Sequence, residues 1–380
     1  MDDRYSSKLS PVVDYGAGAF LLVVAMLTLV GNVLVLITAF KRRRYMKPPE
    51  LLSVNLAVTD LGAALTMYPL AIASSWSHRW VGGHPACLYY GLMGFLFGVA
   101  SIATLAVMAV VRFIVSLSVQ SPKEKISKRS VHVLVACTWL YGLLWALLPL
   151  LGWGQYGPEP FGTSCTLAWG DLGRHGPSFV FAVFSLVLVL PAAVIIACYF
   201  GLALKLRLAY RSINNSGRIP NVVRTQRKLV LIAVLVSAGF VGSWTPYSAV
   251  SLWSAFHPGD ALPAVVALLP CLFAKSSTVF NPLVYYLFSN TFRTEVRSLL
   301  WACRQADALA DRDDEYGADD HHRPYATRDR GVAPRDQNGG GRLLPPCGDT
   351  EESRADFSSL APAAIAQSAR RPEGPGNRRL

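Results

Sequence analysis

Seven apolar stretches, each long enough to cross a lipid bilayer, constrain this chain more than any other feature. They lie near 17–40, 51–75, 87–115, 129–151, 178–205, 228–256 and 262–288. A hydrocarbon core about 30 Å thick takes roughly 20 residues of helix to span. Inside it each backbone N–H and C=O must be bonded within its own segment, so repeated helical crossing is the expected solution. The stretch at 17–40 is too long for a cleavable leader, and Asp2 and Asp3 stand where a leader would be basic, so it is expected to be the first span. The predicted fold is all-α, a seven-transmembrane helix bundle over 17–303 with an extracellular N-terminus over 1–16. A short amphipathic helix is expected on the cytoplasmic side after span seven, followed by a tail over 304–380.

Composition agrees with this. Of 380 residues 52% are apolar and 16% charged, against about 45–50% and 25% in soluble domains. The net charge of +12 would suit nucleic acid, but its distribution suits a membrane and no nucleic-acid partner is expected. One set of loops carries sixteen lysines and arginines, from Lys41 to Lys47, Lys123 to Arg129 and Lys205 to Lys228. The other side carries four, Arg4, Lys8, Arg79 and Arg174. Basic loops stay cytoplasmic, which puts the N-terminus outside and the tail inside a multi-pass protein of the plasma membrane, in contact with lipid.

Beyond about residue 304 the chain is polar, with an acidic run at Asp311–Glu315, three glycines at 339–341 and scattered prolines. Such a segment buries too little apolar surface to fold, so disorder is expected. Thr350, Ser353, Ser358 and Ser359 are available there for phosphorylation. Cys303, near Trp301, is a lipidation candidate or a free thiol. The N-terminus has no glycosylation sequon, and the one at Asn214–Ser216 falls in a cytoplasmic loop. No internal repeat suggests a transporter. No metal site is expected, and His321–His322 reads as a solvated pair.

The polar residues inside the spans carry the functional signal, because intramembrane polar groups are costly and need a reason to persist. In order they are Gly31-Asn32; Leu56 to Asp60; Trp139; Pro191 and Tyr199; Ser243-Trp244-Thr245-Pro246; and Asn281-Pro282-Leu283-Val284-Tyr285 followed by Phe292. In this register the set resembles the rhodopsin-like G-protein-coupled receptors over about 20–300. Asp60, Asn32 and Asn281 are expected to form a polar cluster, and Pro246 and Pro282 to act as hinges. The resemblance also implies a disulfide between Cys87 and Cys165.

Lys275 narrows the family. It lies midway along the seventh span, where a lysine cannot snorkel to an interface. An amine in apolar surroundings suits covalent chemistry with an aldehyde. Lys275 precedes Asn281 by the interval found in opsins, so the chain resembles an opsin carrying retinal, 11-cis or all-trans, as a Schiff base on Lys275. Trp244, Tyr247, Phe240, Phe184 and Tyr90 are expected to wall the pocket. Visual opsins place a glutamate counterion three residues after the third-span cysteine, where this chain has Tyr90. A second opsin counterion lies six residues before the loop cysteine, and Glu159 stands there. Either Glu159 serves, or the Schiff base is unprotonated in the dark. Pro158 to Leu167, Ser251 to Phe256 and Ala274 to Ser277 look like the neuropsin (opsin-5-like) non-visual group.

The resemblance implies a light receptor that signals to a heterotrimeric G protein, with receptor kinase and arrestin meeting the tail. One departure is Val111, where an acid should precede Arg112; Tyr199 and Tyr285, the arginine's active-state partners in the family, are kept. Val111 leaves room for a retinal photoisomerase of the retinochrome type. A receptor for a diffusible ligand is the third reading. Monoamine receptors carry an aspartate at the position of Gly94, so amines are not expected, and Gly94 counts among the pocket positions. No nucleotide-binding or catalytic-triad motif points to an enzyme.

Overall fold

The computed structural model describes residues 3–116, 126–171, 176–214, 221–257 and 262–301, with the side chains of 116 and 209–226 outside that description. Lys123, Lys125, Arg174, residues 215–220 of the third basic loop with the sequon beyond Asn214, Cys303 and the tail therefore lie outside the residues described here.

Seven helices are long and apolar enough to cross a membrane: Pro11–Lys41, Glu50–Trp76, Gly83–Val115, Lys128–Leu151, Gly176–Leu208, Arg227–Phe256 and Ala264–Phe288. The first starts at Pro11, ahead of the boundary expected at 17. Proline is the first helical residue there, where its missing N–H costs nothing, after an extended Ser10. Span four is capped by Ser127, whose hydroxyl accepts from the Ser130 amide at 3.0 Å. Span two is broken at Met67, immediately before Tyr68-Pro69, into Glu50–Thr66 and Tyr68–Trp76. Pro246 lies inside span six, and Pro270 and Pro282 inside span seven. Each removes a backbone donor and opens the helix to bending.

Span three is the axis of the bundle. Val99, Leu105, Met108 and Ala109 along it are all but fully buried among residues of spans two, four, five and six. The opposite faces of the other spans expose large apolar side chains, among them Leu65, Leu140 and Phe200. In water such faces would be a liability; against lipid tails they are what a bundle requires. After span seven, residues 290–301 form the expected short helix, with Phe292 and Val296 buried one turn apart.

At one end of the bundle, β1 (Tyr156–Pro158) and β2 (Cys165–Leu167) pair antiparallel, with Pro158 opposite Cys165. A disulfide joins Cys165 to Cys87 at the start of span three. The N-terminal segment is stitched to the same end. The Ser7 amide donates to the His78 carbonyl at 3.0 Å, the Lys8 amide to that of Phe161 at 3.2 Å, and the Trp80 amide to that of Tyr5 at 2.8 Å. Gly162 has a left-handed φ of 85°, and a side chain there would strike the Ser6 carbonyl. Beneath this cover, Asp14 is fully buried and pairs with His78 Nδ1 at 2.9 Å.

Candidate functional site

Under the hairpin, spans two, three, five, six and seven enclose a cavity of about 170 Å³ with a mostly apolar wall. Lys275 reaches it from span seven, between Pro270 and Pro282. Its Nζ donates to Cys271 Sγ at 2.8 Å, and it stands 5.7 Å from the centre of the Tyr90 ring. The Tyr68 hydroxyl donates to the Lys275 carbonyl at 2.7 Å, tying span two to this turn of span seven. A flexible side chain is thereby given one address.

Glu159 comes from the hairpin. Its amide donates to the Ser164 carbonyl at 2.8 Å, and its carbonyl accepts from the Gly162 amide at 2.9 Å, which fixes the turn. The carboxylate is carried onto the cavity wall, 7% exposed, where it interacts electrostatically with Lys275. The Tyr247 hydroxyl lies 2.9 Å from both Glu159 Oε1 and Thr166 Oγ1. Having one proton, it donates to the carboxylate and takes the Thr166 hydroxyl as donor. Burial pushes the Glu159 carboxyl up to about 7, with the positive charge of Lys275 and the Tyr247 bond pulling the other way.

Aromatic rings supply much of the remaining wall. Trp244 stacks on Phe240 with ring centres 5.7 Å apart and meets Tyr247 edge-on at 6.0 Å. Its indole N–H donates to the Ser277 hydroxyl at 3.3 Å, linking span six to span seven. Phe184 lines the cavity from span five. Tyr90 is fully buried. A β-carbon at Gly94 would come within 2.8 Å of the end of Met67, so glycine leaves that wall open. The pocket positions expected from sequence, Lys275, Glu159, Trp244, Tyr247, Phe240, Phe184, Tyr90 and Gly94, all line this one cavity.

Toward the other end the polar residues divide. Asn281 Nδ2 donates to Asp60 Oδ2 at 2.8 Å, as expected. Asn32 does not join them directly; its amide donates to the carbonyls of Thr28 at 3.0 Å and Thr278 at 3.1 Å. Arg112 has Tyr199, Tyr285 and Glu50 as its electrostatic neighbours, and its Nε has no hydrogen-bond partner. Val111 beside it is 1% exposed and packs in the apolar core.

Sequence reasoning did not single out Cys271. It sits one helical turn before Lys275, so the spacing alone would have put both on one face. It also missed the π-helical stretch Val183–Val189 in span five. The wider turn brings Val183, Phe184, Val187 and Leu188 onto the cavity wall. Nothing in the local sequence announces such a turn.

Residues 31–285 match the family described as 7 transmembrane receptor (rhodopsin family). The chain is 34% identical to mouse Opsin-5 over 311 residues, covering 81% of this chain and 80% of that protein. It is 30% identical to the human visual pigment-like receptor peropsin, over 72% of this chain and 81% of that one. The fold is similar to the crystal structure of squid rhodopsin, with a TM-score of 0.71 at 26% identity, over 77% of this chain and 87% of the squid chain. Retinal binding and G-protein signalling are typical of these receptors. The chain belongs to the rhodopsin family of seven-transmembrane receptors and, within it, to the light-sensing non-visual opsins.

Proposed function

We propose that this opsin holds retinal covalently on Lys275, with Glu159 as the balancing charge, and that illumination moves the bundle to a packing that engages a heterotrimeric G protein. The observation that carries the reading is a primary amine and the buried Glu159 carboxylate sharing the wall of a mostly apolar cavity, the other carboxylate on that wall, Asp60, being bonded to Asn281. The fit to retinal is good on this chemistry. An aldehyde needs the amine, a polyene needs the apolar and aromatic wall, and a cationic linkage needs the carboxylate. Retinal, when bound, supplies light absorption and a change of shape.

The chain's own residues do the rest. Glu159 offers a negative oxygen, held by Tyr247, toward the Lys275 amine. Trp244 abuts the cavity two residues before the hinge residue Pro246, so a push on its ring is delivered where span six bends most easily. Its bond to Ser277 passes the push to span seven, above Asn281, Pro282 and Tyr285. At the far end Arg112, Tyr199 and Tyr285 are placed to exchange partners when those helices separate. That end, with its basic loops, is assigned to the cytoplasm and the hairpin end to the exterior of the plasma membrane. The chromophore is 11-cis- or all-trans-retinal. The tail beyond 304 is the contact offered to receptor kinase and arrestin, and Cys303 is a lipid attachment point or a free thiol.

Spectra of the purified protein with added 11-cis-retinal, before and after illumination, test this. A light-sensitive band absent from Lys275→Ala is expected. A band that persists in the variant, or no band with either isomer, overturns the reading. The buried Val111 beside Arg112 favours a photoisomerase as the second reading, and light-dependent nucleotide exchange on a G protein separates the two.

A further inference from the structure

A second, smaller chamber of about 10 Å³ lies behind Lys275, about the size that holds one water molecule. Its wall includes Ser75, Thr163 and Ser164. Ser164 is 4% exposed and brings a hydroxyl-bearing side chain to that wall. Cys271 and Lys275 are the two residues that line both this chamber and the large cavity. The amine therefore stands on the partition between them, and the contact that holds it there is the 2.8 Å hydrogen bond to Cys271 Sγ.

Condensation of a primary amine with an aldehyde forms C=N, breaks C=O and releases the carbonyl oxygen with both amine hydrogens as one water. The attacking nitrogen must keep its lone pair directed at the aldehyde carbon while an N–H points elsewhere. An N–H bonded to the Cys271 sulfur meets that requirement. A water-sized polar chamber on the far side of the amine gives the released water a place to go. Without the sulfur, a lysine with four rotatable bonds has to be ordered at each encounter.

We propose that Cys271 is a positioning residue for chromophore attachment: its sulfur holds the Lys275 amine on the partition between the aldehyde cavity and the water-sized chamber, and so sets the rate of aldehyde uptake. The proposal rests on Lys275 as the attachment site, and its test is arranged to fail separately.

Full-length protein purified without retinal is compared with Cys271→Ala, Cys271→Val and Cys271→Ser. Two rates are read: appearance of the retinal absorption band after adding 11-cis-retinal, and reductive methylation of Lys275 by formaldehyde and cyanoborohydride, followed by peptide mass spectrometry. Cys271→Ala and Cys271→Val should slow both about tenfold, the worth of one well-placed hydrogen bond. Cys271→Ser, which restores an acceptor, should recover most of the rate. Either apolar variant reacting at the parent rate overturns the proposal, as does a serine variant as slow as the alanine one. Should one apolar variant fail to fold, the other decides. If the parent protein forms no pigment with either isomer, the attachment reading falls, while the methylation rates still decide the role of Cys271.

Discussion

At the hairpin end, a disulfide, a pair of strands and backbone hydrogen bonds from the N-terminal segment bind spans one and three to the loops that cover the cavity. At the other end, Arg112 lies beside Val111 with its Nε unpartnered, and among the described residues no disulfide or strand pair ties the spans together there. Between the two, Pro246 and Pro282 lie inside spans six and seven, where each removes a backbone donor. The contrast assigns a task to each end. A cover that is cross-linked keeps a buried amine and carboxylate in fixed relation. An end held by side-chain packing and not by cross-links is the freer of the two to repack, and a switch needs two packings a few kcal/mol apart. The Asp14–His78 hydrogen bond adds one more tie at the covered end.

The comparison is broken most directly at the disulfide. Cys87→Ser or Cys165→Ser should cost about 2–5 kcal/mol, seen as a lower thermal midpoint of the protein without retinal. Pigment yield should fall with it, because β2 and Glu159 lose their anchor on span three. An unchanged midpoint would show that the N-terminal stitching alone holds the cover.

The next effect sharpens the description of the covered end. Glu159 titrates at about 7 in the fold, against 4.5 for a glutamate in its ordinary state. Between those values the folded protein keeps a proton that the unfolded chain has released. Stability is therefore greatest on the acid side and falls as pH rises through the window, by at most roughly 3 kcal/mol. Melting of the retinal-free protein across that range should show the decline, and Glu159→Gln should flatten it. A stability that rises with pH in the parent would mean that the carboxylate is fully compensated by Lys275.

The smallest effect addresses the loose end. Val111→Asp places an acceptor next to the Arg112 guanidinium and should lower light-independent nucleotide exchange by roughly tenfold. No change would show that Arg112 is already held by its tyrosine neighbours, and the two ends would differ less than their bonding suggests.

The membrane spans were legible in the sequence because backbone desolvation is local: an apolar stretch of sufficient length must become a helix whatever surrounds it. For the same reason Lys275 could be singled out as an amine in the membrane interior, and Pro246 and Pro282 as hinges. The carboxylate at Glu159 was found by its spacing from Cys165, and its neighbours were not. Tyr247 and Thr166 meet it only because the hairpin folds over span six. Asn32 was expected beside Asp60 and Asn281, yet it turned to the Thr278 carbonyl, a choice between acceptors that only the packed helices present. The sequence alone thus determined the number of crossings, the lysine in the membrane interior and the family. Tertiary structure decided which cysteine holds that amine, where span five widens its turn and how the acid reaches the cavity, because those outcomes depend on distances between segments that the chain closes only when the bundle packs.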